Sequence, residues 1–303
     1  MTQRHWLASY GSIPHDINAD AYCSVVDLVD QAMKRHAHRP AMRCAGQTLS
    51  YADLDRLSRD FAAYLQGPLG VKKGDRIAVM MPNLLAFPIA FLGIARAGAV
   101  QVNVNPLYTP RELEHQLNDA GVQTIVVYGG VSAMVAEVMS RTGLKTVVTV
   151  GVGDGSGKVL PSPPVDARLK GATAFTDALA QGAPLSFTPV DLKGDDLVFL
   201  QYTGGTTGLS KGAALSHRNL IANTEQFKAF MPEALRPGEE VIVTAIPLYH
   251  IFALMVNFIT YFSVGADNWL VPNPRDIDSF VETFRQAKPT VFMGVNTLYA
   301  GLT

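Results

Sequence analysis

Cysteine is nearly absent: only Cys23 and Cys44 occur in 303 residues, too few for a disulfide framework and too far apart for a CxxC pair. Two unpaired thiols in a reducing cytoplasm are the expectation. Charge of one sign is also missing. With 25 basic and 26 acidic residues, a formal charge of -1 and no lysine or arginine runs, the chain lacks the electrostatic footprint of a nucleic-acid binder, and small molecules are the expected partners. The start, Met-Thr-Gln-Arg-His-Trp, has no basic segment leading into an apolar one, so it does not read as a secretory signal. The longest apolar stretch, Ile251 to Ala266, is shorter than the roughly 20 residues that span a bilayer and contains Asn257, so a buried helix is expected there. Aspartates and glutamates form no paired-carboxylate constellation that spacing identifies.

What is present is an alternation of helix and strand signals. Ser50-Tyr-Ala-Asp53 opens an amphipathic helix with Leu54, Leu57, Phe61, Tyr64 and Leu65 on one face. Ile77 to Met80 predicts a strand, Leu84 to Ala97 a helix and Val100 to Val104 another strand. Thr109-Pro-Arg-Glu112 combines a capping threonine, a first-turn proline and a glutamate that can bond back to the cap, which accounts for Arg111 and Glu112 without a further role. Thr124 to Tyr128 follows as a strand. After a glycine, serine and proline segment from Gly151 to Pro164, read as a surface excursion, the rhythm resumes. Helices are expected over His217 to Met231, Ile251 to Val264 and Asp276 to Ala287, and strands over Val241 to Ala245, Trp269 to Val271 and Thr290 to Met293. The fold class is therefore α/β, with layered, largely parallel sheets and helices on both faces. Two subdomains are expected, 1–190 and 191–303, the second incomplete at its C-terminus.

One run carries chemistry. Leu197 to Leu200 is strand-like and leads into Tyr202-Thr-Gly-Gly-Thr-Thr-Gly-Leu-Ser-Lys-Gly-Ala213. Gly204, Gly205 and Gly208 open the backbone to an anion, Thr203, Thr206, Thr207 and Ser210 offer hydroxyls, and Lys211 brings a mobile positive charge. A polyphosphate is the natural guest. The Walker A order fails, because Lys211 follows Ser210 rather than glycine, Gly212 stands where a magnesium-binding hydroxyl belongs, and Ala213 to Ser216 reads as a strand rather than a helix.

The run resembles the phosphate-binding signature of the acyl-adenylate-forming enzymes, the superfamily of acyl-CoA synthetases, luciferases and peptide-synthetase adenylation domains. Pro247-Leu-Tyr-His-Ile-Phe-Ala-Leu254 is similar to the family's aromatic acyl-pocket motif, and Gly294-Val-Asn-Thr-Leu298 to the segment entering the next pocket wall. Met80 to Leu84, Asn103 to Asn118 and Asn273 to Ile277 are similar to bacterial long-chain fatty acyl-CoA synthetases. The match is weakest from about Gly151 to Val190.

The resemblance implies ATP-dependent adenylation of a fatty acid to acyl-AMP and pyrophosphate, followed by thioesterification with CoA to acyl-CoA and AMP. ATP, Mg2+ and CoA as co-substrate follow from it. So do the site residues. Lys211, Thr203 and Thr206 are the expected catalytic group, the whole segment Tyr202, Thr203, Gly204, Gly205, Thr206, Thr207, Gly208, Leu209, Ser210, Lys211, Gly212 and Ala213 the nucleotide cradle, and Tyr249, His250 and Phe252 the acyl pocket. On composition alone His250 reads as a packed or capping residue; the resemblance places it near the carboxylate. His115 and His217 show no metal spacing and are expected on the surface, and no metal site is expected from the chain's own residues. The apolar segment with Phe252, Leu254, Met255, Phe258, Tyr261 and Phe262 fits a lipid tunnel and a packed core equally well.

The family's later motifs do not occur here: a glutamate that helps bind magnesium, a ribose-binding aspartate, and a C-terminal domain with the adenylation lysine. The chain is therefore expected to be the N-terminal portion of a synthetase, with little or no turnover alone. Peripheral contact with the inner face of the cell membrane and a homodimer are left open. Two other readings remain: a fatty acyl-AMP ligase that serves a carrier protein, distinguished by its acceptor, and a non-catalytic lipid- or partner-binding module, distinguished by the absence of ATP binding.

Overall fold

The computed structural model describes residues 4–203 and 210–302. In chain order the first strands are β1 (Pro40–Cys44), β2 (Gln47–Ser50), β3 (Arg76–Met80), β4 (Val100–Asn103), β5 (Thr124–Tyr128), β6 (Thr146–Val150) and β7 (Thr173–Ala174). They are followed by β8 (Leu197–Thr203), β9 (Lys211–Ser216), β10 (Val241–Thr244), β11 (Asp267–Leu270) and β12 (Val291–Phe292). The helices are α1 (Val25–Arg35), α2 (Tyr51–Gln66), α3 (Ala86–Arg96), α4 (Pro110–Asp119), α5 (Ser132–Val138), α6 (Phe175–Gly182) and α7 (His217–Phe230). A π-helical stretch (Ala253–Thr260) runs into α8 (Tyr261–Ser263), and α9 (Ile277–Ala287) and α10 (Asn296–Ala300) complete the set.

Two sheets organise these elements. The seven-stranded sheet has the order β7-β6-β5-β3-β4-β8-β9 and is parallel except for its β8–β9 edge. The five-stranded sheet has the order β12-β10-β11-β1-β2 and is parallel except for β1–β2. The expected α/β class with largely parallel sheets is the one found. Each sheet draws strands from both sides of residue 190, since β8 and β9 extend the sheet begun by β3 to β7, and β1 and β2 join the sheet of β10 to β12.

Period-two alternation decides which helices cover which face. In β3, Ile77 and Val79 belong to one buried cluster with Phe61 of α2, Phe91 of α3 and Phe199 of β8. Their neighbours Ala78 and Met80 belong to another, with Leu113 and Leu117 of α4 and Val135 of α5. Helices thus cover both faces, as a fully buried parallel sheet requires. The first cluster also takes Met42 and Leu270 from the five-stranded sheet, so it joins the two layers. Every residue of α3 is buried, the pattern of a helix enclosed on all sides rather than one lying on a surface. At Gly93 a Cβ would meet the Phe61 ring at 2.7 Å, so glycine sets the close approach of α3 to α2. The anticipated capping boxes form: Ser50 with Asp53 opens α2, and Thr109 with Glu112 opens α4 behind Pro110.

The helix expected over Ile251 to Val264 is present, but its middle is widened into a π-helix. A buried polar triangle sits on this widened stretch. The Asn257 amide donates to Thr244 Oγ1 (3.2 Å), Thr244 Oγ1 donates to Asn268 Oδ1 (2.7 Å), and Asn268 Nδ2 donates to the Asn257 carbonyl (2.7 Å). Such widened turns cluster at functional sites. Among the described residues, no helix is long and apolar enough to cross a membrane.

Candidate functional site

In parallel sheets ligands gather outside the carboxyl ends of the strands. A cleft of about 320 Å³ lies there, walled by Pro82 and Asn83 after β3, Pro106 and Leu107 after β4, Pro247 and Tyr249 after β10, and the 271–275 segment after β11. It therefore takes walls from both sheets. Five prolines stiffen its rim, and Arg275 is the only charged residue in its described lining. Tyr249 is half-buried. Burial, reinforced by the nearby Tyr108 hydroxyl and opposed by Arg275, raises its phenol above the ordinary value, so it stays a neutral hydrogen-bonding group at neutral pH.

The expected nucleotide cradle sits on the β8–β9 hairpin. Thr203 and Lys211 are register partners at the open end of that antiparallel pair, followed inward by Tyr202 with Gly212 and Gln201 with Ala213. Thr203, Lys211, Gly212 and Ala213 are all exposed. The stretch after the run is a strand, as its composition indicated. Gly204, Gly205, Thr206, Thr207, Gly208 and Leu209 lie outside the described residues. Gly208 to Gly212 also spells Gly-Leu-Ser-Lys-Gly, the residue order of a hydrolase nucleophile elbow. That elbow needs a strand-to-helix turn, whereas Ser210 leads directly into β9.

Two cradle residues have a packing role that needs no ligand. The Tyr202 ring is buried, and its hydroxyl donates to Asp119 Oδ2 at the end of α4. Burial first, then that bond, raise the phenol above its ordinary value. A Cβ at Gly212 would stand 2.9 Å from the Tyr202 ring, so glycine opposite Tyr202 is what lets the ring lie across β9.

The two histidines expected on the surface are not there. His115 is half-buried on α4, and its Nε2 lies 3.0 Å from the Ser210 carbonyl oxygen, so with the proton on Nε2 it ties the hairpin to α4. His217 is 1% exposed. Its Nδ1 accepts the backbone N–H of Val25 at 3.2 Å, and the His217 backbone N–H donates to the Asp196 carbonyl at 3.0 Å. Burial drives its pKa down to about 4, Asp196 opposing and Lys73 reinforcing the shift. The surface expectation failed because α1, far away in sequence, packs over the first residue of α7.

Tyr249, His250 and Phe252 do not share one cavity. His250 is exposed, and its Nδ1 accepts the Phe252 N–H at 3.2 Å, the capping geometry its residue type suggested. Phe252 lines a second, largely apolar cleft of about 350 Å³ with Leu215 of β9, Leu220 of α7 and Met255.

Asn83 lies in the Met80 to Leu84 segment, where no role was expected of it. Buried to 2% exposure, it donates from Nδ2 to the Thr244 and Ile246 carbonyls (both 3.1 Å) and accepts the Leu248 N–H at Oδ1 (2.7 Å). A ladder of amides runs beside it: Gln101 Nε2 donates to Asn103 Oδ1 (2.7 Å), Asn103 Nδ2 to Gln201 Oε1 (2.9 Å), and Gln201 Nε2 to the Tyr249 carbonyl (3.3 Å). The available signal was a polar residue inside an otherwise apolar run.

Comparison with known proteins gives the family of the chain. The model of the family described as "AMP-binding enzyme" matches residues 29–303. The chain belongs to that family. It is 44% identical over 309 residues to the long-chain-fatty-acid–CoA ligase of Escherichia coli O6:H1, covering 98% of this chain and 55% of that protein. The AMP-binding chain thus spans about half the length of the curated relatives it matches. Among solved structures, an anthranilate CoA ligase in complex with anthranoyl-AMP superposes with a TM-score of 0.80 at 21% identity, over 94% of this chain and 52% of that one. A long-chain-fatty-acid-CoA ligase from Archaeoglobus fulgidus gives 0.76 at 24%, over 92% and 53%. At these identities the likeness concerns the fold of the AMP-binding region alone.

Proposed function

We propose that this chain is the N-terminal part of a long-chain fatty acid CoA ligase. The parent enzyme would join a fatty acid to ATP, releasing pyrophosphate and forming acyl-AMP, and then pass the acyl group to CoA, releasing AMP. A carboxylate is a poor electrophile with a poor leaving group, and adenylation remedies both. The first step asks the protein chiefly for alignment and stabilisation of charge on the phosphates.

The single observation that carries this reading is the β8–β9 register, which pairs Thr203 with Lys211 at the carboxyl end of β8, where parallel sheets receive ligands. Lys211 is assigned to the β- or γ-phosphate, with Thr203 and Thr206 as hydroxyl donors. Gly204, Gly205 and Gly208 are assigned as backbone donors, on residue type and on the family match. Tyr202 and Gly212 contribute by shaping the hairpin. Tyr249 is assigned to the acyl group in the proline-rimmed cleft and Phe252 to the apolar cleft beside α7, with His250 between them. The acyl path in this reading runs along both clefts rather than within one.

Mg2+ would arrive as the ATP complex. Among the described residues no group of three His, Cys, Asp or Glu side chains gathers to hold a metal ion. Peripheral membrane contact belongs to the same proposal, supported by the exposed apolar side chains of Trp6, Phe230 and Met231.

Calorimetry tests the nucleotide assignment. ATP binding by the chain should be abolished in a Thr203→Ala, Lys211→Ala double variant, and binding that survives both changes overturns it. Steady acyl-CoA formation by the purified chain with ATP, Mg2+, palmitate and CoA would refute the claim that it has little turnover alone.

A further inference from the structure

The turn from Thr244 to Tyr249 leaves the five-stranded sheet, yet the side chains that hold its backbone come from residues attached to the seven-stranded one. Asn83, three residues beyond β3, binds the Thr244 and Ile246 carbonyls and the Leu248 N–H with a single amide. Gln201 of β8 binds the Tyr249 carbonyl and is itself held by Asn103 of β4. The Asn83 carbonyl in turn accepts the Cys44 thiol at 3.5 Å from the end of β1. The turn is therefore fastened along its length by two side chains.

We propose that Asn83 and Gln201 are positioning residues, which set where the Pro247–Tyr249 turn stands against the β3 and β8 exits and so fix the width of the proline-rimmed cleft. Each needs an amide. Only an amide offers Leu248 an acceptor and the two carbonyls donors from one planar group. Leucine at 83 would leave the Ile246 carbonyl and the Leu248 N–H unpaired and would strip the Thr244 carbonyl to its remaining bond from the Val271 N–H, and each unpaired group favours movement toward water. A carboxylate at 83 would keep the acceptor but turn a second anionic oxygen toward two carbonyls. Gln201 acts at the other end, and because it lies two residues before Thr203 in the same strand, it ties the position of Tyr249 to that of the hairpin mouth. This inference rests on the proposed function for what the cleft holds, and on the hydrogen bonds for how the cleft is held.

The test separates the two. The chain is labelled with 3-fluorotyrosine, the Tyr249 resonance is identified by its loss in Tyr249→Phe, and Asn83→Leu, Asn83→Asp and Gln201→Leu are compared with the unaltered chain by fluorine NMR and by palmitate titration with ATP present. In the folded variants the Tyr249 resonance should move and palmitate should bind about tenfold more weakly or worse, the effect of losing one to two net hydrogen bonds. In Asn83→Asp, lowering the pH from about 8 to 5 should bring the resonance back toward its original position, because a protonated buried carboxyl regains a donor, and Asn83→Leu should show no such return. A Tyr249 resonance unmoved in folded Asn83→Leu and Gln201→Leu overturns the proposal. Should Asn83→Leu fail to fold, Gln201→Leu and the pH response of Asn83→Asp decide. A resonance that moves while the unaltered chain binds no palmitate supports the positioning role and counts against the adenylation reading.

Discussion

Lowering the pH from 7.5 to 5.0 should weaken this chain through His217 in particular. The ring is 1% exposed, and its unprotonated Nδ1 accepts the Val25 N–H. Protonation would turn that acceptor into a donor facing another donor, and burial would deny the new charge its hydration. Burial, reinforced by Lys73 and only partly offset by Asp196, lowers the pKa from 6.5 to about 4. The unfolded chain therefore binds the proton more readily than the folded one. The stabilisation is present above pH 6.5 and is lost as the pH falls through that value toward about 4. The gap of about 2.5 in pKa corresponds to about 3.4 kcal/mol once the pH is below both values, and about 2 kcal/mol of it is gone by pH 5. Urea unfolding followed by circular dichroism at both pH values, in the unaltered chain and in His217→Asn, isolates the effect. Asparagine keeps an oxygen acceptor for Val25 but does not titrate, so His36 and the carboxylates cancel in the comparison. The unaltered chain should lose about 2 kcal/mol more than the variant. Equal losses in the two proteins would show that the buried imidazole does not control this part of the acid response.

Two further substitutions test the frame around the hairpin. Gly212→Ala places a Cβ 2.9 Å from the Tyr202 ring and should destabilise by about 1–3 kcal/mol, as overpacking does, measured by thermal unfolding; an unchanged melting temperature would mean that the ring yields freely. Arg96, 1% exposed and bound to Asp30 at 2.6 Å and Asp55 at 2.7 Å, joins α1, α2 and α3. Arg96→Met should cost about 3 kcal/mol in urea unfolding, the lower end for breaking a buried pair because both aspartates keep some contact with water; a neutral or stabilising result would show that packing outweighs the charges.

Local chemistry made much of the fold legible. The apolar run from Ile77 to Met80, the Ser50–Asp53 and Thr109–Glu112 boxes and the strand after Ser210 are each set by neighbours within a few positions, and each formed as expected. The pairing of β1 with β11 depends on residues more than two hundred positions apart, and no local pattern encodes which distant strand will be the neighbour. The same limit explains His217. A first-turn helix residue after a serine cap is ordinarily exposed, and only the arrival of α1 buries it.

The site divides along the same line. Its hairpin was legible because glycine, hydroxyls and lysine in one run have a local meaning, whereas the cleft was not, since its walls come from four strand exits in two sheets. Yet those walls left a trace. Asn83, Gln101, Asn103, Gln201 and Asn257 each place an amide in an apolar run, and each is buried and hydrogen-bonded. A buried amide is costly unless partnered, so its presence in a core segment signals a partner from elsewhere in the chain, even when the sequence cannot say which. Three of these amides, Asn83, Asn103 and Gln201, lie where the carboxyl ends of β3, β4 and β8 meet the turn that carries Tyr249. The polar interruptions of otherwise apolar strands therefore mark the seam between the two sheets, and the candidate site lies along that seam.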